Sequence, residues 1–248
     1  MKFAIMSDVH SNLYALEAVL KDISNRGVDN IYCTGDLVGY GPRPNEVIEL
    51  IKISQIPTVM GNYDDAIGNM RFICGCDYKD EKSLLLGEQS IAWTKENTSN
   101  VNRKWLSELP GELRLSVADY KILLVHGSPR AMNEYLHEGT DEGYLNDLLS
   151  ENKANILICG HTHIPYIKKL SNGYIINTGS VGKPKHGKPN STYVIVEISS
   201  SDGIKAEILE VAYNYEKTAE EIEKCGLPTD FAEAIRNGGS DKRAFIYR

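Results

Sequence analysis

The sequence contains no long apolar run and little positive charge. Its 248 residues include 27 Lys and Arg against 34 Asp and Glu, which gives a formal net charge of −7 and a pI near 5.4. Non-specific affinity for nucleic acid depends on many cationic side chains that neutralise phosphates. We therefore expect no nucleic-acid polymer as a partner.

The sequence also shows no pattern typical of a membrane span or of an export signal. No apolar stretch approaches the roughly 20 residues that cross a bilayer. The apolar start at residues 1–6 is too short for the core of a signal peptide. These features predict a cytoplasmic protein without a membrane partner.

Cysteine is scarce, with five residues in the chain. Cys33 and Cys159 end apolar runs, where a small buried thiol is usual. Cys74 and Cys76 are close enough in sequence to bind a metal or to be oxidised, but no second pair completes a zinc site. A structural role is the preferred interpretation for this pair, and metal binding and oxidation stay open as alternatives.

The first half of the chain alternates between apolar runs and helix-like repeats. Residues 2–7, 31–34 and 58–60 predict strands, whereas residues 13–23 and 46–53 have helical spacing. This order predicts a parallel sheet with helices packed on it. Ligands of such sheets bind beyond the carboxyl ends of the strands.

The remainder of the chain predicts a helical segment followed mainly by strands. Residues 65–109 contain no strand-like run, and we expect two helices there, in a cap-like excursion at the mouth of the site. Without an internal repeat or a linker, residues 1–248 predict a single domain, with C-terminal helices at about 214–237 and a loose tail from residue 238. The predicted helices of the excursion are 83–95 and 101–109, and the predicted strands are 112–117, 121–125, 156–159, 164–170, 174–177, 192–198 and 205–211.

Polar side chains follow the apolar runs at positions suited to metal binding. Asp36 is a carboxylate whose two oxygens can bridge two cations, and Gly35 removes side-chain bulk beside it. Histidine nitrogens and an amide oxygen complete a mixed set that suits Mn, Fe, Co, Ni or Zn better than Ca or Mg. The candidate metal ligands are Asp8, His10, Asp36, Asn62, His126, His161 and His163.

Each of these residues, taken alone, has an ordinary structural explanation. A single histidine after a strand is more often a hydrogen-bonded structural group, and an aspartate in a loop is usually a turn or cap residue. Because the whole set shares one topological position, a common site is the better explanation for it. His137, which lies in a polar stretch without a partner, keeps the structural interpretation.

The ordered motifs resemble the calcineurin-like metallophosphoesterase superfamily, and more narrowly its compact bacterial and archaeal phosphodiesterase branch. The resemblance covers residues 1 to about 211. It implies an α/β fold, a four-layer αββα sandwich of two mixed β-sheets. The motifs are Asp8-Val9-His10, residues 35–42, Gly61-Asn62-Tyr63-Asp64, Val125-His126-Gly127 and Gly160-His161-Thr162-His163.

The resemblance also implies a binuclear metal-dependent phosphoesterase. Two divalent ions, with Mn the first choice and Fe, Zn, Ni or Co as others, would bind a phosphoryl group, and a hydroxide that bridges them would attack phosphorus. Small phosphodiesters, phosphomonoesters or dinucleoside polyphosphates, nucleotides among them, are the expected substrates. The implied ligand sets are Asp8, His10, Asp36 and His163 for one ion, and Asp36, Asn62, His126 and His161 for the other, with Asp36 shared.

Three residues are predicted to act on the substrate. Asn62 would contact the phosphoryl oxygen as well as its ion. Tyr63 stands where the superfamily commonly has a histidine thought to protonate the leaving oxygen, and a phenol is a poorer proton shuttle. This difference favours good leaving groups, or phosphodiesters and anhydrides. Arg130 could bind a substrate phosphate, with an ordinary ion pair as the alternative.

Other loop residues are weaker candidates. His186 could replace the missing acid, although an exposed loop position is the plainer explanation. Tyr40 and Arg43 are better explained by a Gly-Pro turn. Lysines could attract a polyphosphate or a nucleotide, but a solvated loop is preferred for them; these are Lys183, Lys185 and Lys188.

Two further functions stay open at this point. The same metal centre can serve a serine/threonine phosphoprotein phosphatase, which an open shallow groove would favour. A non-catalytic metal-bound scaffold is the other alternative, and Tyr63 is the feature that supports it. The sequence leaves the native substrate, the metal and the oligomeric state undetermined.

Overall fold

Strands and helices alternate along the computed structural model, which describes residues 1–78, 80–199, 201 and 203–239. In chain order its elements are β1 (Lys2–Met6), α1 (Leu13–Ser24), β2 (Asn30–Cys33), α2 (Pro44–Ile53), α3 (Asn62–Gly68), α4 (Glu81–Asn97), α5 (Asn100–Ser107), β3 (Leu113–Val117), β4 (Tyr120–Leu124), α6 (Glu142–Glu151), β5 (Ile156–Cys159), β6 (Tyr166–Lys169), β7 (Tyr174–Asn177), β8 (Ser191–Ser199), β9 (Gly203–Val211), α7 (Tyr215–Lys224) and α8 (Thr229–Arg236).

The strands form two mixed sheets. The first sheet has the order β2-β1-β8-β9, in which β1 is parallel to β2 and antiparallel to β8. The second has the order β3-β4-β5-β7-β6, in which β4, β5 and β7 are parallel. The carboxyl ends of the parallel strands in each sheet therefore lie at a common edge.

The two sheets pack face to face and carry helices on their outer faces. Phe3 and Val194 of the first sheet share a buried core with Ile122 and Ile158 of the second. Alternate residues point the other way, so Met6 packs in a second core together with side chains of α1 and α2. On the outer face of the second sheet, strand β5 packs against α6. The predicted four-layer αββα sandwich is confirmed.

Helix α1 illustrates how local sequence specifies these elements. The Asn12 side chain accepts a hydrogen bond from the Ala15 N–H and so caps the first turn. Leu16, Val19 and Ile23 then follow at helical spacing and are fully buried. The helix thus presents one apolar face to the first sheet.

Three parts of the predicted secondary structure are wrong, and one of them is helix α3, which was not predicted. Residues 58–60 form a single bridge between Cys33 and Thr58 and no strand, because the Met60 N–H bonds to the carbonyl oxygen of Pro110 and leads the chain away. Helix α6 was not predicted, although the Asp141 side chain caps it and buried leucines repeat within it.

The helical excursion and the C-terminal helices agree with expectation. Helices α4 and α5 occupy the predicted positions, and α7 and α8 follow the last strand. The predicted tail begins at residue 238 and lies outside the described residues from residue 240 onward, so a single domain over 1–248 stays a prediction. In the part of the chain that the structure describes, no helix has both the length and the apolar character needed to cross a membrane.

Candidate metal centre

The candidate ligands lie in loops that follow the parallel strands of both sheets. Residues after β1 and β2 come from the first sheet, and residues after β4 and β5 come from the second. The side chains therefore meet at the seam between the layers. The first sheet supplies Asp8, His10 and Asp36, the second supplies His126, His161 and His163, and Asn62 begins α3.

Three of these side chains form one group of potential ligand atoms. The candidate atoms of Asp8, His10 and His163 all lie within 4.8 Å of one another. His163 Nε2 is 3.2 Å from Asp8 Oδ1 and 3.2 Å from His10 Nε2. All three residues are buried.

A second group lies beside the first. The candidate atoms of Asp36, His126 and His161 also lie within 4.8 Å of one another. His126 Nε2 is 2.9 Å from Asn62 Oδ1 and 3.2 Å from His161 Nδ1. The amide oxygen of Asn62 is thus directed into this group.

Asp36 lies between the two groups. Its Oδ2 atom is 3.4 Å from His126 Nε2 in one group and 3.8 Å from His10 Nε2 in the other. Its Oδ1 atom accepts a hydrogen bond from the Tyr63 N–H at 2.8 Å, which fixes the carboxylate plane. This placement allows one carboxylate to be shared between two cations.

Backbone carbonyls set the proton positions of all four histidines. His10 Nδ1 lies 3.0 Å from the Val38 carbonyl oxygen and His126 Nδ1 lies 2.8 Å from that of Thr34. A carbonyl only accepts, so each Nδ1 carries a proton, and His10 Nε2 turns a lone pair toward the cluster, whereas His126 Nε2 faces the amide oxygen of Asn62 and donates to it. His163 Nδ1 and His161 Nε2 bond in the same way, to Lys183 O at 2.5 Å and Asn133 O at 3.2 Å.

This arrangement favours a cation between the rings. The cluster-facing nitrogens of neighbouring imidazoles lie about 3.2 Å apart in both groups, and a cation could take a lone pair from each. An outer hydrogen bond that fixes the tautomer is also the usual support of a metal-bound histidine. Asp8 Oδ1 points into the same space, buried and without a hydrogen-bond donor among the described residues.

The titration behaviour of three of the four histidines agrees with this geometry, whereas His126 carries a proton on both nitrogens until a cation displaces one. Burial lowers the pKa of His10 to about 4 and the pKa of His161 and His163 to about 3, so these rings stay neutral and can donate lone pairs. Burial also acts to lower the pKa of His126, but the Asp36 carboxylate outweighs it and raises that pKa to about 10.

Much of the candidate site has left-handed backbone. This conformation is uncommon for residues other than glycine and costs roughly 1–2 kcal/mol for each L-residue. Such residues persist where the surrounding structure holds them, and they concentrate at functional sites. Five candidate ligands have it, namely Asp8 (φ 54°), His10 (φ 47°), Asp36 (φ 54°), His161 (φ 65°) and His163 (φ 61°).

Asp64 supports the Asp36 loop, a role that the sequence reasoning missed. Its buried carboxylate accepts backbone hydrogen bonds from Asp36, Leu37 and Gly61 at 2.8, 2.9 and 3.0 Å. A side chain at Gly61 would place its Cβ 2.2 Å from the Asp36 backbone nitrogen. Gly61 and Asp64 together therefore hold the loop that carries Asp36 against the start of α3.

The cysteine pair orients Asn62. The Asn62 side-chain nitrogen donates to the Cys74 carbonyl oxygen at 3.1 Å and to Cys76 Sγ at 3.2 Å. This leaves the amide oxygen free to face His126. These hydrogen bonds to Asn62 agree with the preferred structural interpretation of Cys74 and Cys76.

A cavity of about 480 Å³ opens above the cluster. Its floor includes His10 and Asp36, and Leu86 of α4 lies in its wall, as expected for a helical excursion at the mouth of the site. Phe231 of α8 also lies in its wall. The contribution of α8 to the cavity wall was not predicted.

The comparisons with known proteins agree with this geometry. The family model described as the calcineurin-like phosphoesterase superfamily domain matches residues 1–201. The chain belongs to this superfamily. This phosphoesterase is 35% identical over 249 residues to an uncharacterised protein of Methanocaldococcus jannaschii, with 94% of this chain and 96% of that protein covered. It is 24% identical over 201 residues to Phosphodiesterase YfcE of Escherichia coli, with 77% and 85% covered.

Solved structures show the same fold. A metallophosphoesterase from Sphaerobacter thermophilus is 31% identical, with a TM-score of 0.74 over 96% of this chain and 99% of that one. A hypothetical protein from Pyrococcus horikoshii has a TM-score of 0.82 at 22% identity, with the same shares covered, and this likeness concerns the fold alone. The predicted membership of the superfamily is confirmed.

Tyr63 lies at the cavity wall of the phosphoesterase. Its ring contacts the rings of His10 and Tyr40, with centroids 5.6 and 4.6 Å apart, and its hydroxyl lies 3.4 Å from that of Tyr78. Burial raises the pKa of Tyr63 well above its usual value, so the phenol stays protonated. Tyr40, which the turn interpretation placed outside the site, also lines the cavity.

Arg130 is not brought to this cavity. Its guanidinium pairs with Glu151 at 2.8 Å and lies over the Tyr144 ring at 4.6 Å, with 42% of the side chain exposed. It lines a separate cavity of about 270 Å³. The geometry therefore favours the ion-pair alternative, and a substrate role for Arg130 stays a prediction.

The weaker candidates divide between the cavity and the surface. Arg43 pairs with Glu221 of α7 at 2.7 Å, which agrees with a structural role. His186 is absent from the cavity lining, whereas Lys183 and Lys185 belong to it. Lys183 is half-buried, contrary to the solvated-loop interpretation, and Lys185 is exposed, in agreement with it. Lys188 bonds Glu210 at 3.0 Å. His137 stacks on Tyr135 with ring centroids 5.9 Å apart, which agrees with its structural interpretation.

Proposed function

We propose that this phosphoesterase uses two divalent metal ions to hydrolyse small phosphodiesters, phosphomonoesters or dinucleoside polyphosphates. The observation that carries the proposal is the pair of buried ligand groups with Asp36 Oδ2 between them. Asp8, His10, Asp36 and His163 would hold one ion, and Asp36, Asn62, His126 and His161 the other.

The residues present fit such ions. Neutral imidazole nitrogens, carboxylate oxygens and one amide oxygen form the mixed donor set that Mn, Fe, Co, Ni and Zn accept. The buried Asp8 Oδ1 lacks a hydrogen-bond donor among the described residues, as expected of an atom reserved for a cation. Manganese is our first choice among these metals.

The protein's own groups would bind and orient the substrate. When bound, the ions would neutralise phosphoryl oxygens and lower the pKa of a water molecule. Asn62, whose side-chain nitrogen is held by Cys74 and Cys76, would direct its amide oxygen to the ion that binds the phosphoryl group. Tyr63 would donate a hydrogen bond to the leaving oxygen, since its phenol stays protonated at the cavity wall.

The cavity favours small substrates over a phosphoprotein. Its wall includes Leu86 of α4 and Phe231 of α8, which belong to one apolar cluster beside the candidate ligands. A folded protein carrying a phosphoserine would have to reach past this wall. A pocket of about 480 Å³ instead has the size typical of small-molecule sites.

A substrate panel tests the proposed function. We expect protein freed of metal by chelation to be inactive and added Mn to restore hydrolysis of bis(p-nitrophenyl) phosphate and diadenosine tetraphosphate more strongly than of p-nitrophenyl phosphate. Metal content measured by mass spectrometry should approach two ions per chain in the active protein. Full hydrolysis by protein with no transition metal would contradict the proposal, and a preference for the monoester would contradict the inference from Tyr63.

Replacement of Tyr63 by phenylalanine tests its role. We expect Tyr63→Phe to lower kcat on the order of 10-fold to 100-fold for a phosphodiester with an alkyl leaving group, and much less for one with a p-nitrophenyl leaving group, because only the poorer leaving group needs a proton. Steady-state kinetics with both substrates provide the measurement.

Tyr32→Phe is a matched control, since Tyr32 packs against Phe3 within the strand layers and is absent from the cavity lining. An equal loss of kcat for both leaving groups in Tyr63→Phe would show that the phenol acts on structure and not on the leaving oxygen.

A further inference from the structure

Two lysines stand beside the metal centre in a fixed position. They belong to the lysine loop, residues 178–188, which follows β7. The Lys183 carbonyl oxygen accepts from His163 Nδ1 at 2.5 Å, and the Lys185 N–H donates to the His163 carbonyl oxygen at 3.4 Å. Ser180 Oγ accepts from the Lys183 N–H and donates to the Asp8 carbonyl oxygen, both at 2.8 Å. The loop is thus bonded to the candidate ligands.

Both ammonium groups lack an anionic partner in the described part of the chain. No carboxylate oxygen there lies within 4.0 Å of Lys183 or Lys185, whereas Lys188 of the same loop bonds Glu210. Lys183 Nζ lies 4.3 Å from the centre of the Tyr40 ring. Asp230, a carboxylate in the cavity wall, pairs with Lys82 at 2.5 Å. The side-chain nitrogens of Lys183 and Lys185 are therefore available to an anion that enters the cavity; with no anion bound there, burial lowers the pKa of Lys183 to about 7.

The wall next to these lysines is aromatic. Tyr40 packs edge-on against Phe231, with ring centroids 5.1 Å apart, and Leu86 lies in the same wall. Across the cavity, Tyr135 contacts the His161 ring at a centroid distance of 4.1 Å. Aromatic faces of this kind accept the flat ring of a nucleobase.

We propose that Lys183 and Lys185 bind a second phosphate of the substrate, next to the phosphate at the metal centre, so that the preferred substrates are nucleotides with a phosphoanhydride bond. This inference rests on the proposed function. Hydrolysis breaks one P–O bond of the anhydride; water supplies a hydroxyl to the attacked phosphorus and its remaining proton to the phosphate that departs or to solvent.

The chemistry of the leaving group agrees with this substrate class. A departing phosphate carries its negative charge on several oxygens and needs little protonation, so it suits a site with Tyr63 in place of a histidine. Lys183 and Lys185 would stabilise the same charge by charge-assisted hydrogen bonds. A simple alkyl phosphodiester offers neither feature.

Kinetics of a double variant test the proposal. We expect Lys183→Met with Lys185→Met to raise the KM for diadenosine tetraphosphate at least about tenfold more than the KM for bis(p-nitrophenyl) phosphate, which has no second phosphate. Methionine has a side chain of similar length without the amine. Lys188→Met is the matched control, because Lys188 bonds Glu210 and is absent from the cavity lining, and it should leave both KM values unchanged.

A binding measurement separates this inference from the proposed function. Calorimetry on Mn-loaded protein should show that methylenediphosphonate binds at least about tenfold more tightly than methylphosphonate, and the double variant should lose this preference. An equal rise of both KM values, or an unchanged preference for the diphosphonate, would overturn the inference. If the wild type hydrolysed neither substrate, the proposed function would fail, whereas the calorimetric comparison would still decide the role of the lysines.

Discussion

Asp36→Asn should remove activity and most bound metal together. We expect kcat for bis(p-nitrophenyl) phosphate to fall on the order of 10³-fold and the metal content to fall from two ions per chain to one or fewer. Asp36 Oδ2 lies within 3.8 Å of a histidine nitrogen in each ligand group, so its charge serves both ions. An amide is neutral and has one oxygen, and that oxygen can still accept from the Tyr63 N–H. The fold should therefore survive the change.

Metal analysis, steady-state kinetics and thermal unfolding provide the measurements for this variant. Asp119→Asn is the matched control, because Asp119 is an exposed residue between β3 and β4 and should change none of the three. Wild-type turnover in Asp36→Asn supplied with Mn would show that the two-ion interpretation is wrong.

Asp64→Ala should destabilise the fold by about 3 kcal/mol or more. The change leaves three buried N–H groups without an acceptor, those of Asp36, Leu37 and Gly61, and each unsatisfied buried donor costs about 1–3 kcal/mol. The Asp36 loop would also lose its anchor, so metal content should fall as well. Urea unfolding with a constant m-value measures the first effect.

The neighbouring aspartate provides the control for Asp64. Asp65 lies one residue further along α3 and bonds the side chains of Asn69 and Arg71 at the surface. We expect Asp65→Ala to cost less than about 1 kcal/mol, as exposed pairs usually do. Asp64→Asn, which retains an acceptor oxygen, should fall between the two alanine variants. Equal stability of Asp64→Ala and Asp65→Ala would refute the anchoring role of Asp64.

The positions of the candidate ligands could be predicted because a local rule governs them. Asp8, Asp36 and His126 each follow an apolar run within three residues, and parallel strands bring such positions to one edge of a sheet. Burial of the runs is visible in their composition alone. His10 and His163, 153 positions apart, follow strands of different sheets, so their convergence depends also on the packing of the two sheets, which only the family resemblance implied.

Other features depend on packing between distant segments, which a single sequence does not display. Phe231 reaches the cavity because α8 packs against Leu86 and Trp93 of α4. Arg130 follows a ligand closely, yet its chain turns toward α6, an element that was missed, and Glu151 of that helix binds it. The position of Lys183 is set by the hydrogen bond between its carbonyl oxygen and His163 Nδ1, which the run of lysines in the sequence does not reveal.

The candidate ligands lie at the seam between the two sheet layers, so a bound ion would also link these layers. Asp8 and Asp36 belong to one layer of the sandwich and His126 and His161 to the other, and all five cysteines are free, so no disulfide joins the layers. Ions held there would cross-link the two layers and stabilise the fold. The stability of the folded chain would then depend on the concentration of metal around it. Depletion of metal would destabilise the protein as well as abolish its catalysis.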